Sequence, residues 1–206
     1  MKDITISRRS LLVSAGLLAL APLAGCGGSS AAAGSDYTVG VLQLTEHSAL
    51  DAANDGFVKA IKKSGLKVKI DQKNAQNDQS TCKSIADKFV GDGVDLIYAI
   101  ATPAAQAAAG ATADIPIVGC AITDYAASGL VQDNDKPGTN VTGASDLTPV
   151  AEQLEMMQKV LPDVKKIGLL YCTAESNSDV QIKAAKAELD KLGIEYADFT
   201  VSSSNE

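Results

Sequence analysis

From Tyr37 onward, short continuous apolar runs alternate with stretches in which apolar residues recur every three or four positions. The runs predict strands over residues 37–44, 66–70, 95–101, 115–121, 167–172 and 194–201, with a further strand over 139–145 after a polar turn at 133–138. The periodic stretches predict helices between them. Ala53, Phe57, Ala60, Ile61 and Ser64 share one face of the first, which Gly65 closes. A second helix covers 78–91, with Cys82, Ile85, Ala86, Phe89 and Val90 on one face, and an alanine-rich third covers 103–113. Val150, Leu154, Met157 and Leu161 form the core face of a fourth, stopped at Pro162; Ile182, Ala185, Leu189 and Leu192 point inward from a fifth over 176–192. Strict alternation of strand and helix implies an α/β fold, a parallel sheet flanked by helices with right-handed crossovers.

Residues 1–35 do not fit this pattern. Arg8 and Arg9 precede the apolar run 11–20, and Leu23-Ala24-Gly25-Cys26 follows, the three regions of a secretory signal. The run is too short for a spanning helix. Leu-Ala-Gly-Cys resembles the lipobox of bacterial lipoproteins, so 1–25 is expected to be cleaved and Cys26 to carry a lipid. Residues 26–35 then form a flexible Gly/Ser/Ala tether. Ser7-Arg8-Arg9-Ser10 fits both twin-arginine and ordinary export signals. Cleavage removes three cations and one anion, taking the formal charge from −7 to −9. An acidic chain with no basic stripe is not a nucleic-acid binder, and its partners are expected to be small solutes.

Cys82, Cys120 and Cys172 show neither C-x-x-C spacing nor a histidine cluster, so no metal is expected and buried structural thiols are the reading. His47 is the sole histidine, with no carboxylate or Cys spacing that would build a metal site or a triad around it. Phosphate cradles of the G-x-x-x-x-G-K-S/T or G-x-G-x-x-G type and G-x-S-x-G elbows are missing, so neither a cofactor nor an enzyme is expected. Asn140-Val141-Thr142 matches a glycosylation sequon inside a predicted strand and carries little weight.

Ligands of open parallel sheets bind beyond the carboxyl ends of the strands. The segments there are polar: Gln43 to Ser48, Ala101 to Gln106, Thr123 to Tyr125, Gly143 to Asp146 and Tyr171 to Ser178. Thr102 at an N-cap with Pro103 next would leave the amides of Ala104 and Ala105 open to a carboxylate, although simple capping accounts for Thr102 equally well. Asp124 or Glu46 would pair with an ammonium group. Ser176-Asn177-Ser178-Asp179 also fits a capping box, as does Ser203-Ser204-Asn205-Glu206, where no helix follows.

Several stretches together resemble the substrate-binding lipoproteins of ABC importers, in the branch with tryptophan- and tyrosine-binding members. They are Val39 to Gln43, Glu46 to Asp51, Ala101 to Gln106, Ile115 to Val118 with Thr123-Asp124, Pro137 to Asp146, Leu161 to Gly168 and Glu175 to Ser178; the resemblance covers 37–206. It implies a type I periplasmic-binding-protein-like fold, with 36–146 a nearly complete first lobe and 147–206 a partial second, the chain stopping before the return segment that completes the first. It also implies ligand contacts from Gln43, Glu46, Thr102, Ala104, Ala105, Thr123, Asp124 and Ser145 in the first lobe. Tyr171, covering an apolar side chain, would join Glu175, Asn177 and Ser178 from the second. Tyr171-Cys172-Thr173 departs from the Tyr-Asn-Pro often found in the family. The expected protein is a monomer on the outer face of the membrane, anchored by lipid, capturing an amino-acid-like solute for a permease and its ATPase. The alternatives are a lipid-anchored sensor of the same fold and a truncated chain that binds nothing.

Overall fold

The computed structural model describes residues 36–202. The expected signal, the expected lipidation at Cys26, the expected tether and the capping-box pattern at 203–206 lie outside those residues.

Among the described residues seven strands and five helices alternate, except that β5 follows β4 with no helix between. The first part is β1 (Tyr37–Gln43), α1 (Ser48–Ser64), β2 (Val68–Asn74), α2 (Gln79–Gly91), β3 (Leu96–Ile100), α3 (Thr102–Ala111), β4 (Ile117–Ile122) and β5 (Val141–Ser145). Its strands form one parallel sheet in the order β2-β1-β3-β4-β5. The central strands are buried on both faces, which is why they read as continuous apolar runs. Leu42, Ile97, Ala99 and Ile117 meet Cys82, Ala86 and Phe89 of α2 and Ala104, Ala105 and Ala108 of α3. Val39, Val41, Tyr98 and Ile100 face the opposite side, where α1 lays Phe57 flat on Tyr98 with ring centroids 4.0 Å apart. The bare backbone of Gly40 receives the Phe89 ring: a Cβ there would stand 2.6 Å from Phe89 Cδ2.

The second part is α4 (Val150–Val160), β6 (Lys166–Cys172), α5 (Ser176–Leu192) and β7 (Glu195–Val201), with β6 and β7 parallel. Leu169, Ala185, Leu189 and Ile194 are its buried centre. On the other face Leu170 and Phe199 pair across the strands and stay 73% and 58% exposed.

Four sequence expectations need correction. β2 begins two residues late and runs on through Asp71-Gln72-Lys73-Asn74, because an edge strand tolerates polar side chains that an apolar-run criterion discards. Leu161 is not a core residue: it is the C-cap of α4 and 54% exposed. The N-cap of α3 is Ala101, not Thr102, and no side chain caps it. α5 likewise starts from Glu175 without a side-chain cap, so Ser176 does not open a capping box.

Candidate functional site

The carboxyl ends of β1 to β4 point to one edge of the sheet, and the backbone there is unusual. Gln76 and Asn77 (φ 52° and 61°) follow β2, Ala101 (φ 84°) follows β3, and Ala121 (φ 55°) bulges near the end of β4. Left-handed conformations at non-glycine residues cost about 1–3 kcal/mol each and concentrate at functional edges.

The turn after β2 is held by main-chain bonds, Ala75 N to Gln43 O (2.9 Å) and Asn77 N to Leu44 O (2.8 Å). Asp78 then caps α2: its Oδ1 accepts from Ser80 Oγ and Thr81 N, both at 2.6 Å. These bonds, the Ser80 hydroxyl foremost, hold the carboxyl below the usual carboxylate range. Gln79 therefore stands at the first position of α2, facing the turn between β6 and α5.

After β1, the buried Gln43 has all its amide bonds inside this part of the fold. Its Nε2 donates to Thr45 O (2.8 Å) and Asp51 Oδ1 (2.6 Å), while Oε1 accepts from Asn54 (2.9 Å). It braces the loop that displays Glu46, which is exposed, and His47, whose Nδ1 caps α1. After β3, the helix start is buried, not open. Thr102, Ala104 and Ala105 are covered, and the Ala105 amide donates to Ala101 O (3.1 Å), so it is part of the helix ladder. After β4, Ser145 Oγ donates to the carbonyl of buried Thr123 (2.7 Å). Asp124 Oδ1 accepts from Ala127 N (2.9 Å) and Asn134 Nδ2 (3.1 Å), and the Ala127 amide foremost lowers its pKa.

A cavity of about 380 Å³ opens between this edge and the second part of the fold. Leu44, Gln76 to Gln79 and Pro103 line one side; Cys172, Ala174, Glu175 and Ser202 line the other. Asp78 and Glu175 are its charged groups, and the lining contains no lysine or arginine. Asp78 Oδ1 is engaged in the cap, and Glu175 accepts from Asn177 Nδ2 at 3.4 Å.

Of the expected site residues, Glu175 is in the cavity wall, with Asn177 and Ser178 in the following helical turn. Thr102, Ala104 and Ala105 lie in the turn of α3 that presents Pro103. Ser145 lines a different hollow of about 180 Å³ with Tyr125 and Gly143. There Tyr125, whose hydroxyl donates to Ala144 O (3.3 Å), is pushed up to about 12 mainly by burial. Tyr171 shares the α5-facing side of β6 with Leu169 and influences Lys186, away from the cavity. Residues 76–79 escape the sequence reading because it ends β2 at residue 70, which hides the turn that follows.

The sequence profile of a family described as ABC transporter substrate binding protein matches residues 38–206. A tyrosine-binding protein of Clostridioides difficile (strain R20291) is 44% identical over 209 residues, covering 95% of this chain and 61% of that protein. A crystal structure from Streptococcus pneumonia, an ABC domain in complex with L-Trp, is 42% identical with a TM-score of 0.79, covering 84% of this chain and 59% of that one. The ligand-free, open structure of a substrate binding protein with adhesive properties from Clostridium difficile is 48% identical. It superposes less well, with a TM-score of 0.63 over 82% of this chain and 59% of that one. The chain thus spans about three fifths of the length of these relatives.

Proposed function

The chain belongs to the ABC transporter substrate-binding protein family, a binding family and not an enzyme family, and from that premise we propose that it captures a free amino acid with an aromatic side chain. It does so as an extracytoplasmic lipoprotein, anchored through Cys26, that delivers its solute to a permease.

The observation that carries this reading is the cavity at the carboxyl edge of the parallel sheet, bounded on its other side by the β6–α5 turn. Its charge is acidic, so the ammonium group of the ligand meets Glu175, a better placed partner than Asp124 or Glu46. Asp124 is tied into its own turn and Glu46 stands on an exposed loop. Asn177 steadies Glu175 from the next turn of α5, and Leu44 with Pro103 supplies apolar wall for a ring. The relatives named for tyrosine and crystallised with L-Trp support an aromatic ligand.

Calorimetric titration of the purified chain with L-tyrosine, L-tryptophan and L-lysine tests the reading. Saturable binding of the aromatic amino acids and none of lysine is expected. Glu175→Gln should weaken it by about tenfold or more, the scale of a lost charge-assisted hydrogen bond. Absence of binding by all three, or a Glu175→Gln chain that binds normally, refutes the corresponding part of the proposal.

A further inference from the structure

Among the described residues, side-chain hydrogen bonds from two glutamines join the five-stranded part of the fold to the β6–α5 turn. Gln79 Nε2 donates to Ala174 O at 2.7 Å. Gln106 Nε2 donates to Ser176 Oγ at 3.0 Å and also to Ser128 O, in its own part of the fold, at 2.9 Å. The acceptors, Ala174 and Ser176, flank Glu175 on either side in the chain.

We infer that Gln79 and Gln106 are positioning residues, which hold the β6–α5 turn across the cavity and so fix where the Glu175 carboxylate stands. The inference rests on the proposed role of Glu175 in meeting an ammonium group.

Four features carry it. The two glutamines project from neighbouring helices, α2 and α3, and line one shallow groove of about 250 Å³ with Lys83, Pro103 and Ala107. They reach a single short turn, on either side of Glu175, and add to the bonds that Thr173 N makes to Val201 O (2.9 Å) and Ser178 N to Glu175 O (3.1 Å). Gln106 is braced by its second N–H on the Ser128 carbonyl, which restricts the amide to one orientation. Gln79 is delivered by the left-handed pair Gln76-Asn77 and the Asp78 cap, so backbone strain at this edge sets the reach of one arm. A neutral amide also suits this role, because it grips a carbonyl and a hydroxyl without adding charge beside Glu175.

Hydrogen exchange and ligand selectivity, measured on the full chain, test the two glutamines together. The variants are Gln79→Ala, Gln106→Met, which keeps the bulk of the half-buried side chain, and the pair. Without ligand, amides of residues 173–178 should exchange about fivefold faster in each single variant, and faster still in the double, while amides of β1 and β3 stay as protected as in the parent. The preference for L-tyrosine over desaminotyrosine, which lacks the ammonium group, should fall by a similar factor. Unchanged exchange in 173–178 overturns the inference, and so does faster exchange with unchanged preference. If the parent chain binds neither compound, the amino-acid reading falls; the inference about Glu175 falls with it, and exchange still reports whether the glutamines hold the turn.

Discussion

Placing a methyl group on Gly40 tests how closely the sheet and α2 are fitted. The added Cβ would lie 2.6, 2.7 and 2.9 Å from three atoms of the Phe89 ring. Carbon atoms in contact prefer about 3.5–4.0 Å, so roughly 1 Å has to be found. Phe89 cannot swing aside, being fully buried among Leu42, Cys82, Ala86 and Ile97. Overpacking of this kind costs about 1–3 kcal/mol. The lower chain entropy of alanine in a strand returns about 0.5–1 kcal/mol. Gly40→Ala should therefore lose about 1–2 kcal/mol, a fall in Tm of roughly 2–8 °C for a chain of this size. Urea and thermal unfolding followed by circular dichroism measure it. Phe89→Leu should destabilise on its own by leaving a void, but in its presence Gly40→Ala should cost almost nothing. Strict additivity of the two changes, or a Gly40→Ala chain as stable as the parent, refutes the packing argument.

Three more outcomes are expected. Ala101→Gly should raise Tm by about 2–4 °C, because glycine adopts φ 84° without the strain alanine carries there; a fall in Tm would mean that the buried methyl matters more. The Asp78 carboxyl titrates below its unfolded value, so its contribution is present above that value and disappears as pH falls through the folded one. Asp78→Asn should accordingly flatten the loss of Tm between about pH 4.5 and 2.5 while leaving α2 capped, and an unchanged acid limb would count against the cap. Burial foremost, with the Asp78 charge second, pushes the Cys82 thiol up to about 11, so mass spectrometry after thiol labelling at about pH 8 should find it unmodified. Cys172, in the cavity wall, should label and be protected by L-tyrosine; labelling of Cys82 in the folded chain would contradict its burial.

The fold was legible because central parallel strands must be apolar on both faces. Val39 to Leu44 and Leu96 to Ile100 carry that signal without ambiguity. What escaped is where tertiary contacts override local rules. Ala101 takes a conformation that local preference opposes, held by its N–H on Cys120 O, so the Thr-Pro signature placed the start of α3 one residue late. The polar end of β2 hid the Gln76 to Gln79 turn, and with it one side of the cavity. Glu175 was named through resemblance, and the structure sets it in the cavity wall; that its neighbours are gripped by Gln79 and Gln106 depends on side chains 95 and 70 residues away, beyond the reach of any local pattern.

The first turn of α3 has a consequence for how such a receptor changes its taste. Thr102, Pro103, Ala104 and Ala105 are small and packed against the sheet, offering a wall with little chemical character. On the proposed function, discrimination falls to the β2–α2 and β6–α5 turns. Drift in those two loops can retune ligand preference while the frame, and the cost of folding it, stays the same. On that same reading the two loops are the place to engineer a new preference.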